Sequence, residues 1–250
     1  MDAPFDKHPV RVAVSGRNLD DLLPLLKPFP VTIVEEKPDL VISHGGDGCL
    51  LGAERQFPGV PKCPIRDHRQ NPKCPKHAET ATLQRLFDGQ LKKTRLIKLK
   101  AAANSQNLLG INDIVITKTQ AQSAIRYRIW VNGELLCPQV VADSLVIATP
   151  FGSTGYFQSI TRGHLLCGLG LAFNNAMDLS NFSVLPEDSV ITVQLLRGPA
   201  IMIADNDPTQ IPLRQDDTAT IRVTPEMTDI YGIDVFRCPD CYHLRQNGLT

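Results

Sequence analysis

Three turns, each entered or left through an apolar run, hold most of the residues with chemistry to offer in this 250-residue chain. The first reads Asp39-Leu-Val-Ile-Ser-His-Gly-Gly-Asp-Gly-Cys-Leu-Leu51. Gly45, Gly46 and Gly48 carry no side chain to keep a phosphate off the backbone, and N–H groups at the start of a following helix attract an anion. Asp47 would lie beside that phosphate, where a carboxylate either holds a magnesium ion or takes the proton of an attacking hydroxyl. The same residues also suit a plain tight turn with Asp47 capping the helix. The sequence has no Gly-x-x-x-x-Gly-Lys-Ser/Thr loop, so a Walker-type nucleotide site has no support.

The second turn reads Val141-Ala-Asp-Ser-Leu-Val-Ile-Ala-Thr-Pro-Phe-Gly-Ser-Thr-Gly-Tyr156. Thr149, Ser153 and Thr154 supply hydroxyls, Gly152 and Gly155 expose backbone N–H groups, and Tyr156 offers a stacking face, a set suited to a nucleoside and its phosphates. Between the two lies Gly110-Ile-Asn-Asp-Ile-Val-Ile116, where Asn112 and Asp113 place an amide and a carboxylate ahead of a strand, within reach of sugar hydroxyls or a base. Separately, Cys74-Pro-Lys-His77 and Cys238-Pro-Asp-Cys241 each set two soft ligands three positions apart, the reach with which a tight turn grips zinc. Cys74, His77, Cys238 and Cys241 together make four ligands for a structural zinc that clips the C-terminal tail onto the first domain, with Cys63 and His243 as substitutes for one of them. Cys49, Cys137 and Cys167 read as small core residues, and His8, His68 and His164 show no partner pattern.

The elements that must position these residues differ between the two halves. From residue 9 to about 87, short β-rich runs at 10–15, 31–35, 39–43 and 62–66 alternate with helical ones, as in stacked βα units. Asn18 is placed to cap a helix whose apolar face is Leu19, Leu22, Leu23 and Leu26, kept short by Pro24 and Pro28. Residues 50–56 and 78–87 complete the helices. Beyond about residue 95 the runs become β-branched or alternating, at 96–100, 111–117, 125–131, 144–148, 190–196 and 219–223, with Asn132-Gly133 a strong hairpin turn. The expected domains are 1–93, with the tail 230–250 packing back onto it, and 94–229. Lysine plus arginine equals aspartate plus glutamate, 26 each, so overall charge recruits neither nucleic acid nor an anionic membrane. No apolar run approaches the roughly 20 residues of a membrane span. The first ten residues lack the apolar stretch of a signal peptide, which points to a cytoplasmic protein with reduced thiols.

Taken in order, the three turns resemble the NAD kinase family, which shows Gly-Gly-Asp-Gly-Thr, then Asn-Glu, then Thr-Pro-Thr-Gly-Ser-Thr-Ala-Tyr. The matching segments span about residues 39–160. The resemblance implies a Rossmann-like α/β N-terminal domain followed by a β-rich C-terminal domain, assembled as a homodimer or homotetramer. The activity it implies is magnesium-dependent transfer of the terminal phosphate of ATP, or of polyphosphate, to the adenosine 2′-hydroxyl of NAD, giving NADP. By position, Asp47 matches the catalytic aspartate and Gly45, Gly46 and Gly48 the phosphate-facing glycines. Asn112 and Asp113 match the Asn-Glu pair on the dinucleotide, Asp143 an acidic substrate contact, and Thr154, Gly155, Tyr156 and Ser159 the substrate-lining turn and helix.

Two stretches depart from the family. Where its members carry Gly-Ile-Asn-x-Gly-x-Leu-Gly-Phe, this chain has Pro64-Ile-Arg-Asp-His-Arg-Gln-Asn-Pro72. Arg66 and Arg69 in that stretch read either as phosphate-binding cations or as solvated loop charges. The late Asp-Gly-Gln segment is replaced by Ala204-Asp-Asn-Asp-Pro208. Two alternatives therefore stand beside the NAD kinase: a related lipid or small-molecule kinase, which would share the Gly-Gly-Asp-Gly turn but not Thr-Pro-x-Gly-Ser-Thr, and a non-catalytic dinucleotide-binding regulatory protein.

Overall fold

A computed structural model describes residues 9–69, 74–177 and 181–246. The chain divides into two compact units: one runs to Leu96 and resumes at Thr228, the other is Ile97–Met227.

In the first unit, β1 (Val10–Gly16), α1 (Leu19–Leu26), β2 (Val31–Ile33), β3 (Leu40–His44), α2 (Asp47–Gln56), β4 (Lys62–Ile65) and α3 (Glu79–Phe87) follow one another before β5 (Lys93–Ala103) crosses into the second unit. The sheet is parallel in the order β2-β1-β3-β4. Every residue of β3 is buried because helices cover both of its faces, which is why it reads as an unbroken apolar run. Leu40 and Ile42 pack with Leu22 and Leu26 of α1 and Leu83 and Leu86 of α3, while Val41 packs with Ala13 and Ala53 of α2 on the other side.

The second unit is antiparallel. It contains β6 (Gln106–Gly110), β7 (Asp113–Lys118), β8 (Ile125–Val131), β9 (Glu134–Ala142), β10 (Ser144–Ala148), α4 (Tyr156–Thr161), β11 (Leu169–Asn174), β12 (Phe182–Leu185), β13 (Ile191–Arg197), β14 (Ala200–Ala204), β15 (Ile211–Leu213) and most of β16 (Thr218–Tyr231). One sheet runs β12-β11-β10-β7-β14-β15; β9, β8, β13 and β16 pair in a second. Their facing sides close one core from Leu145 and Ile147 on one sheet and Tyr127, Ile129, Val193 and Ile221 on the other. Val146 and Ala148 point the opposite way and pack under Phe157 of α4, so β10 too is apolar throughout. Asn132 and Gly133 have φ of 52° and 86°, the left-handed pair that the hairpin between β8 and β9 requires. The chain ends in α5 (Ile233–Phe236) and α6 (Pro239–Gln246), both in the first unit. Among the described residues no helix is long and apolar enough to cross a membrane.

The expected α/β unit followed by a β-rich unit is present. Asn18 departs from expectation: it adopts a left-handed conformation, its side chain caps nothing, and its Nδ2 donates instead to Asp67 Oδ2 at 2.7 Å. Cys167 is exposed rather than a core residue. His8 lies outside the described residues.

Candidate functional site

The first of the three turns lies where β3 ends. Gly16 and β3 approach so closely that a Cβ on Gly16 would lie 2.1 Å from the His44 carbonyl oxygen. Gly45, with φ of 137°, turns the chain, and its N–H donates to the Ile65 carbonyl at 2.8 Å. Gly46, not Asp47, is the N-cap of α2, because its carbonyl accepts from Cys49 and its backbone is extended. Asp47 is the first helical residue, so its carboxylate is not spent on capping. Gly48 beside it is exposed.

That carboxylate meets two guanidiniums. Arg66 Nη2, from the end of β4, donates to Oδ2 at 2.8 Å. Arg237, which follows α5, donates to Oδ1 from Nε at 2.9 Å and from Nη2 at 2.8 Å. Burial alone would raise the Asp47 pKa, but Arg237 and Arg66 outweigh it and hold the carboxyl below its ordinary value. Arg69 pairs with Asp21 and its side chain is 56% exposed. His44 is fully buried, with Nδ1 against the Arg17 carbonyl at 2.6 Å and Nε2 against Glu79 Oε1 at 3.0 Å, so it serves the interior of the unit rather than the turn's surface. His68 joins the same glutamate, whose hydrogen bond raises the His68 pKa.

Cys74, His77 and Cys241 come together in this unit. Cys74 Sγ and His77 Nδ1 are 3.3 Å apart, His77 Nδ1 and Cys241 Sγ 3.4 Å, and the two sulfurs 3.6 Å. Cys238 does not join them, a correction to the expected four-ligand set: the group within mutual reach is Cys74, His77 and Cys241. Cys238 ends the turn after α5 and is buried.

The second unit carries the other turns. Thr149 closes β10 onto the Asn112 turn: its N–H donates to the Asn112 carbonyl at 2.9 Å and its Oγ1 to the Ile111 carbonyl at 2.6 Å. Gly152 lies on the Asn112 backbone, where a Cβ would come within 2.0 Å of the carbonyl oxygen. Thr149 and Ser153 are fully buried, and Ser153 Oγ bonds the Pro150 carbonyl and the Leu165 N–H. Their hydroxyls therefore build the turn, which corrects the expectation that they face a ligand. Thr154, Gly155, Tyr156 and Ser159 are exposed. Tyr156 Oη reaches Ser144 Oγ at 3.0 Å and accepts from Asn174 Nδ2 at 3.1 Å. Next to Ser144, Asp143 pairs with Lys118 at 2.6 Å and accepts from Asn175 at 2.9 Å, and both hold its pKa down.

Asn112 Oδ1 is buried and meets no donor among the described residues. Asp113 beside it is held by a residue that sequence reasoning passed over. Asp205, at the end of β14, accepts the backbone N–H groups of Ile111, Asn112 and Asp113 at 2.9, 2.8 and 3.1 Å. Burial, and secondly the Asp205 charge, push the Asp113 carboxyl up to about 7. Removing Asp205 should therefore cost the unit about 3 kcal/mol, since three buried N–H groups lose a charged acceptor; urea unfolding of Asp205→Ala checks it. A carboxyl raised in the folded state stabilises below its unfolded value and loses that contribution as pH rises. This contribution should fall away between pH 3.8 and about 7, and Asp113→Asn should flatten that part of a stability profile.

An α/β unit joined to a two-sheet β unit, with a Gly-Gly-Asp-Gly turn in one and an Asn-Asp turn braced on a Thr-Pro-x-Gly-Ser-Thr turn in the other, defines the architecture. Residues 111–232 match the family model for the ATP-NAD kinase C-terminal domain. A NAD kinase of Nitratidesulfovibrio vulgaris is 35% identical over 147 residues, covering 55% of this chain and 48% of that protein. A NAD kinase of Neisseria meningitidis serogroup C is 27% identical over 200 residues, covering 74% and 66%. The chain thus spans about half the length of the first of these relatives. Among solved structures, yeast NADH kinase complexed with NADH superposes with a TM-score of 0.74 at 16% identity, over 91% of this chain and 84% of that one. The NAD kinase of Archaeoglobus fulgidus in complex with ATP gives 0.73 at 18%, over 92% and 97%. The fold is that of these kinases, and residues 111–232 carry the segment that matches the ATP-NAD kinase C-terminal domain.

Proposed function

We propose that the chain transfers the terminal phosphate of ATP to the adenosine 2′-hydroxyl of NAD, giving NADP and ADP. The observation that carries this reading is the orphaned Asn112 Oδ1 at the head of the matched segment. A buried acceptor without a donor costs about 1–3 kcal/mol, and a hydroxyl or amine of a bound dinucleotide would recover it. Asn112 and Asp113 hold the dinucleotide with Asp143, Thr154, Gly155, Tyr156 and Ser159. Gly46 and Gly48 receive the phosphates, whereas Gly45, buried and with its N–H given to the Ile65 carbonyl, turns the chain and does not meet them, contrary to what the sequence pattern implied. The 2′-oxygen attacks the terminal phosphorus in line, its proton passes to Asp47, and the bond to ADP breaks; positioning and charge stabilisation supply most of the rate. As Asp47 stands, both its oxygens accept from guanidiniums, so it does not fit a magnesium ion, and magnesium enters as the counterion of ATP. The resemblance also implies a homodimer or homotetramer.

The same two guanidiniums favour a second reading, a non-catalytic dinucleotide-binding regulator. A screen of NAD, NADH and lipid acceptors against ATP and polyphosphate, with calorimetry of NAD, NADP and ATP, separates them. NADP formation supports the kinase; dinucleotide binding with no phosphorylated product supports the regulator.

We also infer that Cys74, His77 and Cys241 hold a zinc ion. Zinc–sulfur bonds of about 2.3 Å and zinc–nitrogen bonds of about 2.0–2.1 Å in a tetrahedron set ligand atoms roughly 3.5–3.8 Å apart, close to the separations of 3.3, 3.4 and 3.6 Å here. The ion would tie α6 to the segment before α3. Metal analysis should find about one zinc per chain and almost none in Cys74→Ser or Cys241→Ser, and cobalt in its place should show the intense visible bands of a tetrahedral thiolate site. A wild-type chain purified without zinc, and indifferent to cobalt, contradicts the inference.

A further inference from the structure

Arg66 and Arg237 share one carboxylate, and neither is a solvated surface charge. The Arg66 side chain is 9% exposed, its guanidinium lies 3.9 Å over the Phe236 ring, and its Nε donates to the Phe236 carbonyl at 3.2 Å. The Arg237 side chain is 24% exposed. Two positive charges thus converge on the single negative charge of Asp47, and each guanidinium raises the cost of the other. A guanidinium presents its N–H groups in a planar fork that matches phosphate oxygens as well as it matches a carboxylate. Arg66 also occupies the place where the family pattern has Asn, and Arg237 reaches Asp47 from the C-terminal tail, 190 residues on.

We propose that Arg66 and Arg237 form a two-guanidinium fork for a phosphate chain, with Asp47 as its internal competitor. A triphosphate that takes the guanidiniums releases the Asp47 carboxylate. The proposal deepens the kinase reading, because the freed carboxylate is then able to accept a proton; the fork itself requires no acceptor. Its ligand chemistry is a run of linked phosphates, carried on a nucleoside or as inorganic polyphosphate.

The test is calorimetric titration of sodium tripolyphosphate into the full chain, with chelator and without acceptor. The wild type should bind it. Arg66→Gln and Arg237→Gln should each weaken binding about tenfold or more, and Arg66→Lys and Arg237→Lys, which keep charge and lose the fork, by less. Asp47→Asn should bind about tenfold more tightly, because the competitor for both guanidiniums is gone. This last result separates the fork from a merely structural ion pair, and with the lysine variants it carries the test if a glutamine variant fails to fold. Unchanged or weaker binding by Asp47→Asn overturns the proposal, as does wild-type affinity in both glutamine variants. Displacement of tripolyphosphate by ATP assigns the fork to a nucleotide; tripolyphosphate binding that ATP does not displace assigns it to an inorganic chain, and either supports the fork. If the chain forms no NADP while these affinities hold, the kinase reading fails and the fork stands. If it forms NADP while tripolyphosphate ignores both arginines, the fork alone fails.

Discussion

Asp47→Asn should lower the rate of NADP formation by about a thousandfold, within the range that positioned acid–base groups contribute, while the Kd for NAD changes by no more than about twofold. The split follows from where the groups sit. Asp47 is the first residue of α2 in the α/β unit, and its carboxylate is free of capping duty. The residues assigned to the dinucleotide, Asn112, Asp113 and Tyr156, all belong to the other unit. Asparagine keeps the size of the side chain and its carbonyl oxygen but does not take a proton. The substitution also removes the negative charge between Arg66 and Arg237, so near-ultraviolet circular dichroism should accompany the kinetics to show that the variant is folded. A fall in rate with intact NAD binding supports the assigned role; wild-type turnover in the folded variant refutes it.

Gly152→Ala should destabilise the β-rich unit by about 3 kcal/mol, the upper end of ordinary overpacking, and lower its melting temperature by about 10 °C. An added Cβ would lie 2.0, 2.3 and 2.4 Å from the Asn112 carbonyl oxygen, carbonyl carbon and Cα. All three are backbone atoms, so no side chain can swing aside, and the clash strikes the peptide whose carbonyl accepts from Thr149. Dinucleotide binding should weaken with stability, since Asn112 is displaced directly. Gly52→Ala is the internal contrast: a Cβ there meets nothing nearer than Arg55 Nη2 at 4.0 Å. In the interior of α2 the lost backbone entropy of glycine is recovered, and the variant should gain about 0.5–1 kcal/mol. Scanning calorimetry of both variants checks the opposite signs.

What the sequence disclosed follows from how local each signal is. Residues 125–131 and 144–148 declare themselves as strands because alternation, or burial on both faces, is written in neighbouring side chains. The Asn132-Gly133 hairpin needs only two residues. Both glycine turns are legible for the same reason: their backbone demands are met within a few positions. The contacts that complete them are not local. Asp205 braces Asn112 from 93 residues away, and Arg237 reaches Asp47 across 190. Ala204-Asp-Asn-Asp-Pro208 was legible only as a departure, although an aspartate closing a strand near an Asn-Asp turn is a candidate acceptor for its N–H groups. Asn18 misled because its side chain found Asp67 across 49 residues instead of the helix it precedes. Cys238 misled because spacing says that two side chains fit one turn, not that both face the same way.

Phosphorylation of the adenosine 2′-hydroxyl is read from its product. Purified chain incubated with NAD, ATP and magnesium should accumulate a dinucleotide with one new monoester resonance in the phosphorus spectrum, reduced by an NADP-specific dehydrogenase, with ADP formed in equal amount. ADP without that product, phosphate carried on another acceptor, or no turnover at all would contradict it.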